Sequence, residues 1–319
     1  MRLIGGIIAG IVSLVVLTAV LLPITDGSAD KTLDVLIIDG QSNAEYGDLS
    51  VCDPSVLNAD YPDAPAHNIY YYGTSSAPAN QWDWHTKWGY SWTAFHVYNA
   101  YDYNSHEWII GGYEPILGNT ISQKSGNDVL VVNMAIGART IDDLLPDGAD
   151  GDYSWGVLNH ALDELSPGYG RVNMIGVVWI QGESDNSTPV ADYKESFVEL
   201  MDSFEKYGAS EFYLVHTRDY YGGNSNIAQD ELAQEYPNVH MTTRITETFT
   251  VENGMLDPGN PIHYNQAGRD AISDAIKDKI IIPAAPIDPV TELLQTIPML
   301  VIAGLIIAIV GTIVIRRSE

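Results

Sequence analysis

Leu33-Asp-Val-Leu-Ile-Ile-Asp-Gly-Gln-Ser-Asn43 is the stretch from which the fold can be read. Leu33–Asp39 is rich in Val, Ile and Leu with little alternation, as expected of a strand covered on both faces and so of a parallel sheet between helical layers. The next four residues, Gly40, Gln41, Ser42 and Asn43, all suit a turn, and a plain turn is one reading of them. A serine directly after a buried strand also lies at the carboxyl edge of the sheet, where open α/β folds bind ligands. Gly40 permits a tight turn there, leaving the Ser42 hydroxyl and backbone N–H aimed into the cleft.

Outward from this stretch, Val129–Asn133, Met174–Ile180, Glu211–His216 and a weaker Asn238–Thr242 predict further strands. Helices are predicted at Gly156–Leu165, Val190–Tyr207, Ile227–Tyr236 and Gln266–Ile281, with Phe197, Leu200, Met201 and Phe204 on one face. The fold class is therefore α/β, a three-layer α/β/α sandwich with a central parallel sheet of about five strands, over residues 30–282. Asn133–Gly137 and Val177–Asp185 bring polar groups to the same sheet edge, and the loop from Asp257 can return His263 to it. Between the first two predicted strands, Trp82, Trp84, Trp88, Trp92 and Trp108 are either sugar-stacking platforms or the core of an irregular insertion.

The ends of the chain are different. Ile4–Ile24 and Ile297–Ile315 carry no charge, and each is about long enough to cross a ~30 Å hydrocarbon layer. Residues 1–25 read as a retained transmembrane anchor, with a signal peptide as the alternative because Gly27-Ser-Ala29 resembles a cleavage site. Residues 283–296, with Pro283, Pro286 and Pro289, read as a stiff stalk, residues 297–315 as a second transmembrane helix and residues 316–319 as a tail. Arg2, Arg316 and Arg317 place both termini inside and the domain outside, at a cell membrane or viral envelope. The lipid bilayer is then a partner, and Gly6 and Gly10 offer a packing face for homo-oligomers or for one span against the other.

The net charge of −27 argues against nucleic acid as a partner and suits an acidic, solvated surface. Cys52 is the single cysteine, so no internal disulfide forms. His67, His85, His96, His106, His160, His216 and His240 lack metal-ligand spacing, and neither a metal nor a cofactor is expected. Asn186-Ser-Thr is a glycosylation sequon in a predicted external loop.

Gly40-Gln-Ser-Asn43, Ala135-Ile-Gly-Ala-Arg-Thr-Ile141, Trp179-Ile-Gln-Gly-Glu-Ser184 and His263 with Gly268 occur in an order that resembles the SGNH hydrolases. Within them the chain is similar to the carbohydrate esterases that include sialate O-acetylesterases and acetyl xylan esterases. The resemblance implies Ser42 as nucleophile and His263 as general base, with the oxyanion held by the backbone N–H groups of Ser42 and Gly137 and the amide of Gln181. Where the family usually has Asp three residues before the histidine, this chain has Asn260, which can orient an imidazole but not stabilise its charge. Glu183, which matches a glutamate some relatives use, and Asp257, on the histidine's own loop, are the candidates for the third member, Glu183 being favoured. Gln41, Asn43, Arg139 and Asn260 are candidate substrate contacts. Arg139 replaces a common threonine after Ala138, itself at a second-glycine position, and either meets a substrate carboxylate or neutralises Asp142 or Asp143.

The leading expectation is removal of O-acetyl groups from a glycan, sialic acid or another acetylated sugar, through an acyl-enzyme. The alternative is a glycan-binding surface or virion-envelope protein on the same fold with weak or no activity. A purely structural surface-layer element is disfavoured by the joint presence of Ser42, Gly137, Gln181 and His263.

Overall fold

The computed structural model describes residues 31–45, 67–73, 98–99, 101–102, 107–108 and 112–283. The chain divides into two units between Ile282 and Pro283, and the first contains every element described below. Both predicted membrane spans lie outside the described residues, as do the proline stalk beyond Pro283, Cys52, Trp82, Trp84, Trp88 and Trp92. Among the described residues no helix is long and apolar enough to cross a membrane.

In chain order the elements are β1 (Thr32–Gly40), β2 (Ile69–Gly73), β3 (Tyr98–Asn99), β4 (Tyr101–Asp102), β5 (Glu107–Trp108), α1 (Glu114–Ser125), β6 (Asp128–Asn133), α2 (Ile141–Leu144) and α3 (Gly151–Leu165). They continue with β7 (Arg171–Ile180), α4 (Val190–Glu205), β8 (Phe212–Val215), α5 (Asp219–Glu235), β9 (Val239–Thr243) and α6 (Gln266–Ile276). The main sheet runs β3-β2-β6-β1-β7-β8-β9, parallel except for β3, while β4 and β5 pair separately. Among the described residues it thus has seven strands rather than about five. The two additional strands, β2 and β3, come from the aromatic stretch, where their signal was too short to separate from its surroundings.

The two faces of the sheet are covered by different helices. Leu33, Val35 and Ile37 of β1 pack with Leu158 of α3, Phe197 and Phe204 of α4 and Leu232 of α5. Leu36 and Ile38 face the other way, towards Leu117 and Ile121 of α1 and Ile272 and Ile276 of α6. Each fully buried side chain of this kind contributes about 1.5–3 kcal/mol relative to exposure. The alternation is uninterrupted in β1 but breaks in β7. Val35 pairs with Met174 and Leu36 with Gly176, so β7 carries one extra residue, Ile175. Met174, Val177 and Trp179 consequently share one layer, and Ile175, Val178 and Ile180 the other.

β1 lies between β6 and β7, and the chain adds strands on one side of β1 before crossing to the other. The carboxyl ends of these three strands form a topological switch point, where open α/β sheets leave a crevice.

Candidate active site

At this switch point β1 ends in a turn built for close quarters. Gly40 has φ +138°, and a Cβ there would stand 2.1 Å from the carbonyl oxygen of Ile180. Neither the conformation nor the space admits a side chain. The Gln41 N–H donates to Ile180 O at 3.1 Å, and the N–H groups of Ala44 and Glu45 both donate to Gln41 O at 2.8 Å, which winds the chain into a tight coil with Ser42 half-buried upon it.

Asn43 fastens this coil to its neighbours. Its Nδ2 donates to Glu183 Oε1 at 2.6 Å and to Ile262 O at 3.1 Å, its Oδ1 accepts the Tyr264 N–H at 3.0 Å, and its own carbonyl accepts the Tyr113 hydroxyl at 2.7 Å. Ile262 and Tyr264 flank His263, so one amide registers the histidine loop against the serine turn. Below, Asn133 Nδ2 donates at 3.0 Å to both Ala44 O and Glu114 Oε1. Gln41 is also buried, its Oε1 accepting the Ser184 N–H at 3.1 Å. Gln41 and Asn43, candidate substrate contacts in the sequence, therefore have their side chains turned into the protein. Asn260 is exposed.

The histidine loop closes on itself. Asp257 N–H donates to His263 O at 3.0 Å, His263 N–H to Asn260 O at 2.9 Å, and Leu256 bridges to Tyr264. Burial lowers the pKa of His263 and the Arg269 charge lowers it further, while Asp257 opposes both. The ring is thereby kept neutral and able to accept a proton. Asp257 Oδ1 itself accepts the Gly259 N–H at 2.7 Å. Glu183, favoured from sequence as the third member, is hydrogen-bonded to Asn43, its other oxygen buried without a partner and its pKa raised by that burial.

On the opposite wall, Gly137 stands beside the serine: a Cβ there would lie 3.5 Å from Ser42 Cβ and 2.7 Å from Glu45 Oε2. The Glu45 carboxylate therefore lies against the Gly137 backbone, next to the serine. Gln181, expected as an oxyanion donor, is fully buried and its amide is committed elsewhere. Nε2 donates to Arg139 O at 3.2 Å and to the Asp185 carboxylate, and Oε1 accepts the Tyr193 hydroxyl at 2.9 Å. It braces the loop carrying Gly137 rather than facing a substrate carbonyl. Asp185 also accepts the Ile141 N–H at 2.9 Å and so ties β7 to the same loop.

Ala138 sits at φ +59°, the left-handed region in which a glycine would cost nothing. Arg139 pairs with Asp150 rather than with Asp142 or Asp143. Asp143 instead caps α2 through Thr140, and Asp142 accepts the Ser196 hydroxyl at 2.5 Å. Tyr113, Glu114 and Arg269 escaped the sequence reading, whereas Asn133 was placed at the sheet edge by it. A legible signal existed for Arg269, which occupies the buried stripe of α6 in line with Ile272 and Ile276. Among the described residues no group of three His, Cys, Asp or Glu side chains is placed to hold a metal.

A profile of the carbohydrate esterase, sialic acid-specific acetylesterase family matches residues 32–281, essentially the whole sheet and its helices. The chain belongs to this family. It is accordingly a carboxylic ester hydrolase of the carbohydrate esterase kind. Among solved structures, a carbohydrate acetylesterase from Xanthomonas citri is 17% identical over 77% of this chain, with TM-score 0.48, and this chain spans 56% of its length. NanS is 15% identical over 78% of this chain and 97% of its own, with TM-score 0.49. A mutant acetyl-xylooligosaccharide esterase from Geobacillus is 12% identical over 83% of this chain and 99% of its own, with TM-score 0.39. No curated protein matches the sequence.

Proposed function

We propose that this carbohydrate esterase removes O-acetyl groups from a glycan, a sialic acid or another acetylated sugar, through an acyl-enzyme on Ser42. The observation that carries the reading is the Asn43 amide, which bonds the residues on both sides of His263 and so holds the base on the turn that bears the nucleophile.

Ser42 Oγ attacks the acetyl carbonyl carbon as its proton passes to the neutral His263 imidazole. The developing oxyanion is received by the backbone N–H groups of Ser42 and Gly137, each such donor being worth roughly 3 kcal/mol in the transition state. The C–O bond to the sugar breaks, the alcohol leaves with the proton from His263, and water repeats the sequence to release acetate. Asp257 supports the imidazolium that forms in each half. Hydropathy adds a second part to the proposal: the apolar segments 4–24 and 297–315 anchor the protein in a membrane with the esterase domain outside.

The test is hydrolysis of p-nitrophenyl acetate, of O-acetylated sialic acid and of acetylated xylan by the wild type beside Ser42→Ala. Turnover that disappears in the variant supports the reading. A folded wild type with no turnover on any of the three favours the second reading, glycan binding on an esterase scaffold, which the commitment of the Gln181 amide to protein partners supports. Protease digestion of intact membranes tests the anchor, which predicts that the domain is cleaved from outside.

A further inference from the structure

Glu45 has no part in the reaction as described, yet it stands in the middle of the site. Three residues after the nucleophile, its Oε2 lies 2.7 Å from the point where a Cβ on Gly137 would be, and Ser42 Cβ lies 3.5 Å from the same point. Its carboxylate is thus set against the backbone of Gly137, whose N–H the esterase mechanism assigns to the oxyanion. A tetrahedral intermediate presents a negatively charged oxygen to that N–H, and the Glu45 carboxylate presents the same kind of atom. We propose that Glu45 is an internal oxyanion surrogate: it occupies the Gly137 donor when the site is empty and must swing away before an ester carbonyl can be polarised. The inference rests on the esterase reading and concerns the regulation of the same site.

The surroundings give the side chain reasons both to stay and to leave. Burial raises the Glu45 pKa to about 7, and the Gly137 N–H, Arg269 from α6 and Arg139 from the loop after β6 act against that rise. Ionised, the group binds the donor most strongly, because a hydrogen bond to a charged acceptor is about twice as strong as one between neutral groups. Protonated, it is more easily displaced. Self-blocking therefore deepens as pH rises through neutrality, while His263 requires only that pH exceed its own lowered pKa.

Steady-state hydrolysis of p-nitrophenyl acetate by the full chain from pH 5.5 to 9 tests this, with wild type, Glu45→Gln, Glu45→Ala and Ser42→Ala compared. Glu45→Gln preserves shape and hydrogen-bond reach, which guards against a trivial folding defect in the alanine variant. The expected result is a rise in kcat/KM of ~10-fold or more at pH 8.5 in Glu45→Ala, a smaller rise in Glu45→Gln and no decline above neutrality in either. Unchanged or lower kcat/KM in both, with Ser42-dependent turnover intact, overturns the proposal and leaves the esterase reading standing. Absence of Ser42-dependent turnover in every protein refutes the esterase reading, and the surrogate role for an ester's oxyanion falls with it. The Gly137 amide resonance separates the contact from the chemistry: a step near neutral pH that Glu45→Gln abolishes shows the carboxylate on the donor, and a flat titration in the wild type overturns the proposal by itself.

Discussion

Asn43 grips the backbone on either side of His263, its amide nitrogen donating to Ile262 O at 3.1 Å and its amide oxygen accepting the Tyr264 N–H at 3.0 Å. Replacing Asn43 with alanine leaves those two groups and the Glu183 carboxylate without their partner, at about 1–3 kcal/mol for each buried group that water does not reach. Asn43→Ala should lose about 3 kcal/mol of unfolding free energy by urea titration and at least ~100-fold in kcat. Asn43→Asp should be worse, because it sets a second carboxylate against Glu183.

Asp257 and Glu183 are separable by pH. Asp257 raises the His263 pKa, so Asp257→Asn should move the acidic limb of the kcat/KM profile to lower pH and lower the plateau. Glu183→Gln should leave that limb in place and act mainly through the position of Asn43. A displaced limb in Glu183→Gln alone would reverse the assignment.

Two glycines at the same edge should respond oppositely to alanine. Gly40→Ala meets the Ile180 carbonyl at 2.1 Å in a conformation that alanine rarely adopts, and should lose about 3 kcal/mol or more in thermal or urea unfolding. Gly137→Ala meets the far end of the Glu45 side chain, which can move, and should fold within about 1 kcal/mol of wild type. Its kcat/KM should nonetheless fall by at least ~10-fold, because the methyl group stands beside Ser42 where the acetyl carbonyl must enter.

Stability should decline as pH rises from about 4 to about 8. Burial pushes Asp39 up to about 8 and Glu114 and Glu45 up to about 7, and also raises Glu183 and Asp185. With folded pKa values above the unfolded ones, these groups take up protons on folding, so the stabilisation belongs to the low side of the window and disappears as pH climbs through the folded values. Urea midpoints should be higher at pH 5 than at pH 8, by on the order of 3 kcal/mol in unfolding free energy. Glu114→Gln should reduce the difference, since its amide oxygen can still accept from Asn133.

Strands β1, β6 and β7 were legible because strands buried on both faces become unbroken apolar runs, whereas α1 was hidden by its own packing. A Cβ at Gly118 would stand 2.7 Å from Ile69 Cγ2, so the helix lies close on β2 only by keeping a residue that weakens its helical signal. In α5 the backbone leaves helical geometry at Gly223, and the pattern after that break, from Ile227, was the part that could be read. At the site, motif order marked Ser42, Gly137 and His263 because turn and strand-end residues have local signatures. The partners of Glu183, Gln181 and Arg139 depend on where long side chains meet across elements, which spacing along the chain does not encode.

The extra residue in β7 has a consequence six positions downstream. Ile175 acts as a spatial frameshift: past it, odd-numbered side chains join the layer that even-numbered Met174 occupied before it, and Gln181 inherits that facing towards Tyr193. No substitution at position 181 can send its side chain to the layer of α1 and α6. Only removing or adding a residue upstream can do so, and the same event would exchange Trp179 with Ile180. The direction of the Gln181 amide is thus a property of chain length within the strand, beyond the reach of any single change of side chain.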